Sequence, residues 1–305
     1  MRRLLFAWVC AALAGPGFAA EDRPPFGFGY LITNDVFSND PQRDRWRTGS
    51  GVFSFTFGPA WTGALPARLG ELVEVRLRGG LITPENIVGV NRLDRPYAET
   101  LALGAHTHFR KAGVEFSLGL DLVATGPQTG METLQGAIHD ALGIPGASAR
   151  VLRSRVPNGL YPTLTVEAGR SFALSPKVSV RPFVELQGGV ETLARVGGDL
   201  HFGRVAQDAL LLRDVTTGLR YPGIRGAATG WAATVGADIA YVADSALLPE
   251  TRTVVLSDTR TRIRAGLHWR GEKASVFYGM TWLSEEFTAQ REPQTVGSIQ
   301  IDLHF

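Results

Sequence analysis

Residues 114–122, VEFSLGLDL, set Val114, Phe116, Leu118, Leu120 and Leu122 against Glu115, Ser117, Gly119 and Asp121. An extended chain points successive side chains to opposite faces, so this stretch is a strand with one apolar and one polar face. The preceding Arg110-Lys111-Ala112-Gly113 reads as a tight turn out of a strand from about Tyr97 to Phe109. Residues 72–81 repeat the pattern, with Val73, Val75 and Leu77 against Glu74, Arg76 and Arg78. Charges on one face and large apolar groups on the other suit a transmembrane barrel, with lipid outside and a polar lumen inside.

Extended along the chain, this reading gives about twelve strands: 26–33, 48–57, 72–81, 97–109, 114–122, 160–172, 177–187, 193–202, 231–242, 261–269, 274–283 and 297–305. An even count suits an all-β fold, a closed antiparallel transmembrane β-barrel that leaves no unpaired edge in lipid. The last run, residues 299–305 (IQIDLHF), alternates and ends on phenylalanine. A soluble secreted sandwich is the competing fold.

The N-terminus reads Met-Arg-Arg, then an apolar run from Leu4 to Leu13, then Gly17-Phe18-Ala19-Ala20. This is the order of a secretory signal peptide, placed here at residues 1–19, which leaves 20–305 as the barrel domain. Its removal takes Arg2, Arg3 and the single Cys10, leaving 29 basic residues against 29 acidic ones. A net charge of zero gives no support for a nucleic-acid partner. Without cysteine there is no disulfide and no thiolate chemistry. The 36 glycines and the lack of a long apolar run exclude a helical membrane protein. The expectation is a monomer in the outer membrane.

The period changes once, over residues 125–143, TGPQTGMETLQGAIHDALG. Gly126-Pro127 breaks the strand, and Met131, Leu134, Ile138, Ala141 and Leu142 then recur at helical spacing. Gln135 and His139, four apart, share one face of this short helix. Loop parity puts it outside the cell: tight turns at 110–113, 173–176 and 270–273 belong to the periplasmic end. The loops at Asn34, at Thr83, around the helix and at Glu285 then share the outer mouth. Residues 203–225 fall on the periplasmic side, against the rule that turns there are short. His106, His108, His201, His268 and His304 lie in strands and are expected in the lumen or at its interfaces.

The order of polar motifs is distinctive. Asn34-Asp35-x-Phe37 precedes Asp44-Arg45-x-x-Thr48-Gly49-x-Gly51, then Thr83-Pro84 and Asp94-Arg95-Pro96-Tyr97-Ala98. Gly126-Pro127, Gln135-x-x-x-His139 and Ser284-Glu285-Glu286-Phe287-x-x-Gln290 follow. This order resembles the outer-membrane lipid A 3′-O-deacylase family across essentially the whole mature chain. The resemblance implies a barrel that removes the 3′-linked acyloxyacyl group from lipid A, the anchor of lipopolysaccharide, in the outer leaflet, with calcium required.

It also implies His139 as catalytic histidine beside Gln135, with Asn34, Asp35 and Thr48 in the site. Asp35 and Asn34 are the expected calcium ligands, and Arg45 and Arg92 the expected substrate contacts. Histidine supplies a base near neutral pH, and calcium takes oxygen donors such as these. The absence of G-x-S-x-G gives no support for a serine nucleophile elbow. Two departures stand out. The family's lysine after the third strand has no counterpart in 84–95, where Arg92 is the only cation before Arg95, and the family's glutamate six residues beyond the histidine is here Pro145. Glu132 and Asp140 are the nearby carboxylates left to replace it. The competing functions are a catalytically silent structural or surface-interaction barrel and an outer-membrane phospholipase. Arg150, Arg153 and Arg155 are candidates to meet lipid A phosphates.

Overall fold

The computed structural model describes residues 26–38, 45–143, 145–205, 207–249 and 253–303. The expected signal peptide, Asp44 and His304 lie outside them. Strands β1 (Phe26–Asn34), β2 (Trp46–Phe57), β3 (Val73–Thr83), β4 (Ala98–Lys111), β5 (Val114–Thr125) and β6 (Gly159–Gly169) pair antiparallel in chain order. A short β7 (Phe172–Ser175) leads into β8 (Val178–Gly188), which pairs with β6 and with β9 (Glu191–Gly203). After a hairpin of β10 (Leu210–Arg213) and β11 (Arg220–Ile224), the wall resumes with β12 (Gly230–Ser245) against β9. It then runs through β13 (Thr259–Arg270), β14 (Ala274–Leu283) and β15 (Gln294–Leu303). Pairing of Ile32, Thr33 and Asn34 with Ile299, Ser298 and Gly297 closes the ring. The wall is thus a closed twelve-stranded antiparallel barrel, and no long strand presents a bare edge.

Its alternation is inside out relative to a soluble protein. Asp121 is 4% exposed, whereas its neighbours Leu120 and Leu122 are 57% and 51% exposed. Burial of such leucines would be worth roughly 1.5–3 kcal/mol each, so their exposure makes sense only against lipid. The lumen holds most of its described charges in pairs: Glu74 with Arg76, Glu167 with Arg181 and Arg213, and Asp238 with Arg262 and Arg264. Buried charge is tolerated where each ion has a partner and hydrogen bonds. His106 pairs with Asp121 and His108 with Glu74, so these strand histidines are lumen residues. The β4–β5 turn takes Ala112 and Gly113 at φ +51° and +81°, matching the twist that a two-residue hairpin needs.

Residues 203–225 do not hang below the barrel as a long periplasmic loop. The β10–β11 hairpin packs into the lumen, where Leu210, Leu212, Leu219 and Tyr221 join Leu31, Val52, Leu72 and Phe277 in one buried cluster. Gly27 and Gly29 make room, because a Cβ on either would lie 2.7 Å and 2.2 Å from the carbonyl oxygens of Gly223 and Pro222. Tyr221 and Ser54 share a 2.8 Å hydroxyl contact, and the Arg213 guanidinium reaches Glu167 and Asp199. The insertion is long because it fills space that wall side chains leave open. Excision of 209–225 is therefore expected to turn a non-conducting barrel into one with steady conductance in a planar bilayer. Unchanged, silent current traces would show that the hairpin does not occlude the lumen.

Candidate active site

The mouth carrying the long loops is organised by β2. Trp46 adopts φ +49°, an uncommon conformation for a bulky residue, and the β2–β3 register slips between Trp46 and Gly49. This bulge turns Thr48 inward, where it is almost fully buried. Its hydroxyl donates to Asp35 Oδ2 at 3.1 Å, and the Arg45 N–H donates to the same oxygen at 3.1 Å. Asp35 opens a single 3-10 turn, Asp35–Phe37, capped by Asn34, whose side-chain oxygen accepts the Val36 N–H at 2.9 Å. The structure thus brings Asn34, Asp35 and Thr48 together.

The second half of the site lies on helix α1, Met131–Leu142. Its polarity is reversed. Gln135 and His139 are the buried face, while Leu134 and Ile138 are 53% and 50% exposed. Glycine at the helix start offers no side-chain cap. Instead the fully buried Glu99 of β4 accepts the Glu132 N–H at 2.9 Å and the Thr129 hydroxyl at 3.1 Å. A carboxylate there satisfies an orphan N–H and complements the helix dipole. Arg155 ties the far side, 3.1 Å from Glu99 and 3.9 Å from Glu132. Met131 sits over Gly79 of β3, where a Cβ would come within 3.1 Å of its sulfur. Removing the cap charge in Glu99→Gln is expected to destabilise the helix by about 1 kcal/mol and lower activity. Hydrogen exchange at 131–134 and turnover assays check it, and unchanged protection would refute the capping role.

Tyr97, fully buried, donates its hydroxyl to Gln135 Oε1 at 2.6 Å. His139 Nδ1 lies 3.0 Å from the main-chain carbonyl of Pro145. The β3–β4 loop joins the two halves. Asp94 accepts the indole N–H of Trp46 at 3.4 Å and the backbone N–H groups of Glu85 and Arg95 at 2.6 Å and 2.8 Å. Burial pushes the Asp94 carboxyl above its usual 3.8, despite those donors. Ser148, just before helix α2 (Ala149–Arg153), bonds Ile87 and Val88 of the same loop.

Other expected residues stand differently. The Arg45 guanidinium pairs with Glu292, lies 4.0 Å from Glu85 and stacks 4.5 Å from the Trp46 ring, so it braces loops. Arg92 is exposed on the β3–β4 loop, and its carbonyl accepts from Thr253. Arg155 holds the helix, whereas Arg150 and Arg153 are exposed. Glu286 forms the hub of the mouth, paired with Arg47 at 2.6 Å, with Arg95, and at 3.6 Å with Arg260. Burial would raise its carboxyl, but Arg47, Arg95 and Arg260 hold it far below the usual 4.5.

The chain matches the family described as "Outer membrane protein LpxR" over residues 5–305. The chain belongs to the LpxR family. The solved LpxR from Salmonella typhimurium superposes with a TM-score of 0.74 at 16% identity, covering 92% of this chain and 100% of that chain. At that identity the match concerns the fold, the same closed barrel. The KdgM porin aligns with a TM-score of 0.40 at 6% identity, over 92% of this chain and 100% of that chain. The COG4313 outer membrane channel from Pseudomonas putida F1 gives 0.40 at 11%, over 94% and 100%. No curated protein sequence matches the chain. LpxR membership places the barrel in the outer membrane.

Tyr97, Glu286 and Pro145 are among the contributors to this LpxR-family mouth that were not assigned roles from sequence. Tyr97 and Glu286 stood inside quoted motifs, so a signal existed. The Pro145 carbonyl left none, because every residue has one. Of the two carboxylates near the missing glutamate, Glu132 faces Arg155 and Asp140 is exposed.

Proposed function

We propose that the protein is an outer-membrane ester hydrolase that removes the 3′-linked acyloxyacyl group of lipid A. The observation that supports this most is the hydrogen bond between His139 and Pro145. A carbonyl only accepts, so Nδ1 carries the proton and the neutral ring keeps its lone pair on Nε2. Nε2 is then the nitrogen that takes a proton from water as the water oxygen attacks the ester carbonyl. The same proton returns to the departing 3′ oxygen, releasing the acyloxyacyl acid. Gln135, its oxygen held by Tyr97, lies one helical turn from the base on the same buried face. The Thr48 hydroxyl donates to Asp35, which makes it a positioning group and leaves water as the nucleophile.

Calcium suits the donors present. Asp35 and Asn34 offer hard oxygen ligands, although no three His, Cys, Asp or Glu side chains gather to hold a metal among the described residues. A site with so few carboxylates binds weakly. Calcium there would supply positive charge for the developing oxyanion. Leu134 and Ile138 beside the buried Gln135 and His139 suit a helix that rests on acyl chains while keeping its base in a polar pocket.

Mass spectrometry of lipid A incubated with the purified protein, in calcium or in chelator, tests the reading. Loss of the 3′ acyloxyacyl mass in calcium alone is the expected result. Intact lipid A with cleaved glycerophospholipid would make the protein a phospholipase, and two intact lipids would make it a silent barrel.

A further inference from the structure

Below the Glu286 hub, inside the lumen, lies a cavity of about 70 Å³. Glu286 and Leu247 lie on its mouth side, and Val215 and Thr216 of the hairpin turn line it from below. Five arginines line it, Arg47, Arg78, Arg195, Arg260 and Arg262, against two carboxylates, Glu191 and Glu286. Four of the five are matched. Arg47 pairs with Glu286, Arg260 with Glu191, Arg195 with Glu185, and Arg262 with Asp238.

Arg78 is not. It makes no hydrogen bond or ion pair among the described residues, and its Nε is sealed from solvent without an acceptor. The acids whose fields reach it are Asp121, Asp214 and Glu191, and all three are engaged elsewhere, Glu191 by Arg260 and Ser245. Asp121 bonds His106, and Asp214 accepts from the backbone and hydroxyl of Thr217. A guanidinium kept inside a barrel without a counter-ion is expensive, and an unsatisfied buried donor calls for a bound partner.

We propose that this chamber is an internal binding site for a small tetrahedral oxyanion of the phosphate or sulfate class, with Arg78 as its anchor. The planar guanidinium fork matches two oxygens of such an anion, and Ser50 and Thr216 line the same space. The volume suits one such ion. Its place within the lumen, away from the lipid-facing wall, makes the ligand a free anion and not a lipid headgroup. Bound there, it bridges the wall strand β3 and the hairpin turn at 214–219, locking the plug under the mouth.

The test is thermal unfolding of the purified barrel in detergent free of lipopolysaccharide, with phosphate or sulfate set against chloride at matched ionic strength. Wild type should show a saturable rise in Tm of about 2–5 °C with at least one of the two oxyanions. Arg78→Met should lose that rise. Without oxyanion it should melt no lower than wild type, because it removes an uncompensated charge. A merely structural arginine would instead lower Tm in every buffer. Arg78→Lys, which keeps the charge but not the fork, should retain a weakened rise and guards against misfolding of the methionine variant. A wild type indifferent to both oxyanions, or an Arg78→Met protein that still responds, would overturn the proposal.

Discussion

Replacement of His139 by alanine is expected to cut lipid A deacylation by about 10²–10⁴-fold, the usual contribution of a positioned general base. The reason lies in how the ring is held. Its Nδ1–H is donated to the Pro145 carbonyl, which fixes the tautomer with the lone pair on Nε2. Alanine removes that acceptor while leaving the cap on Glu99 and the Tyr97–Gln135 contact in place. The barrel wall does not depend on residue 139, so the variant should insert normally and keep its heat-modifiable migration. Product ions from lipid A, followed over time by mass spectrometry, give the ratio. Wild-type rates in a correctly folded His139→Ala protein would remove the histidine from the mechanism.

The second large effect concerns stability. Glu286→Ala should destabilise the mouth by about 3–5 kcal/mol, because it removes the close buried counter-ion of Arg47 and Arg95, while Arg260 keeps Glu191 at 2.7 Å. Arg95 is the worst case: it is nearly fully buried, and its remaining hydrogen bond goes to the Leu247 carbonyl. The pH dependence has a definite sign. The Glu286 carboxyl sits well below 4.5 in the folded protein, so its stabilisation is fully present above pH 4.5 and is lost as pH falls further. Wild-type loops should therefore stay protected through mildly acidic pH, whereas Glu286→Ala loops open already at neutral pH. Limited proteolysis of loops 84–97 and 284–293 reads this directly, and equal cleavage of both proteins at pH 7 would contradict it. Arg47 precedes Thr48, so the same variant should also lower turnover.

The contrast between wall and site shows what a strand pattern can carry. Period-two alternation at residues 72–81 and 114–122 reports which side of a sheet each residue faces, and closure follows because lipid tolerates no open edge. The helix was legible from its change of period. Its apolar spacing did not reveal that Leu134 and Ile138 stay exposed while Gln135 and His139 turn inward. In a lipid setting an amphipathic helix buries its polar face, and sequence period alone is blind to that inversion. The loop insertion at 203–225 misled for a related reason: length marks an insertion but not the cavity it fills.

From the sequence by itself came the barrel, its strands, the ends its loops occupy, and the family resemblance carried by Asn34, Asp35, Thr48, Gln135 and His139. These are local properties, written in alternation and in motif order. Only the tertiary structure decided the partners: Asp35 against Thr48, Tyr97 against Gln135, Glu99 beneath the helix, and three arginines around Glu286. It also decided that His139 meets the main-chain carbonyl of Pro145, and that Arg78 has no partner among the described residues. Such contacts join residues tens to hundreds of positions apart, and main-chain carbonyls carry no side-chain signature. Barrel closure, which brings β1 beside β15, is what sets them in reach.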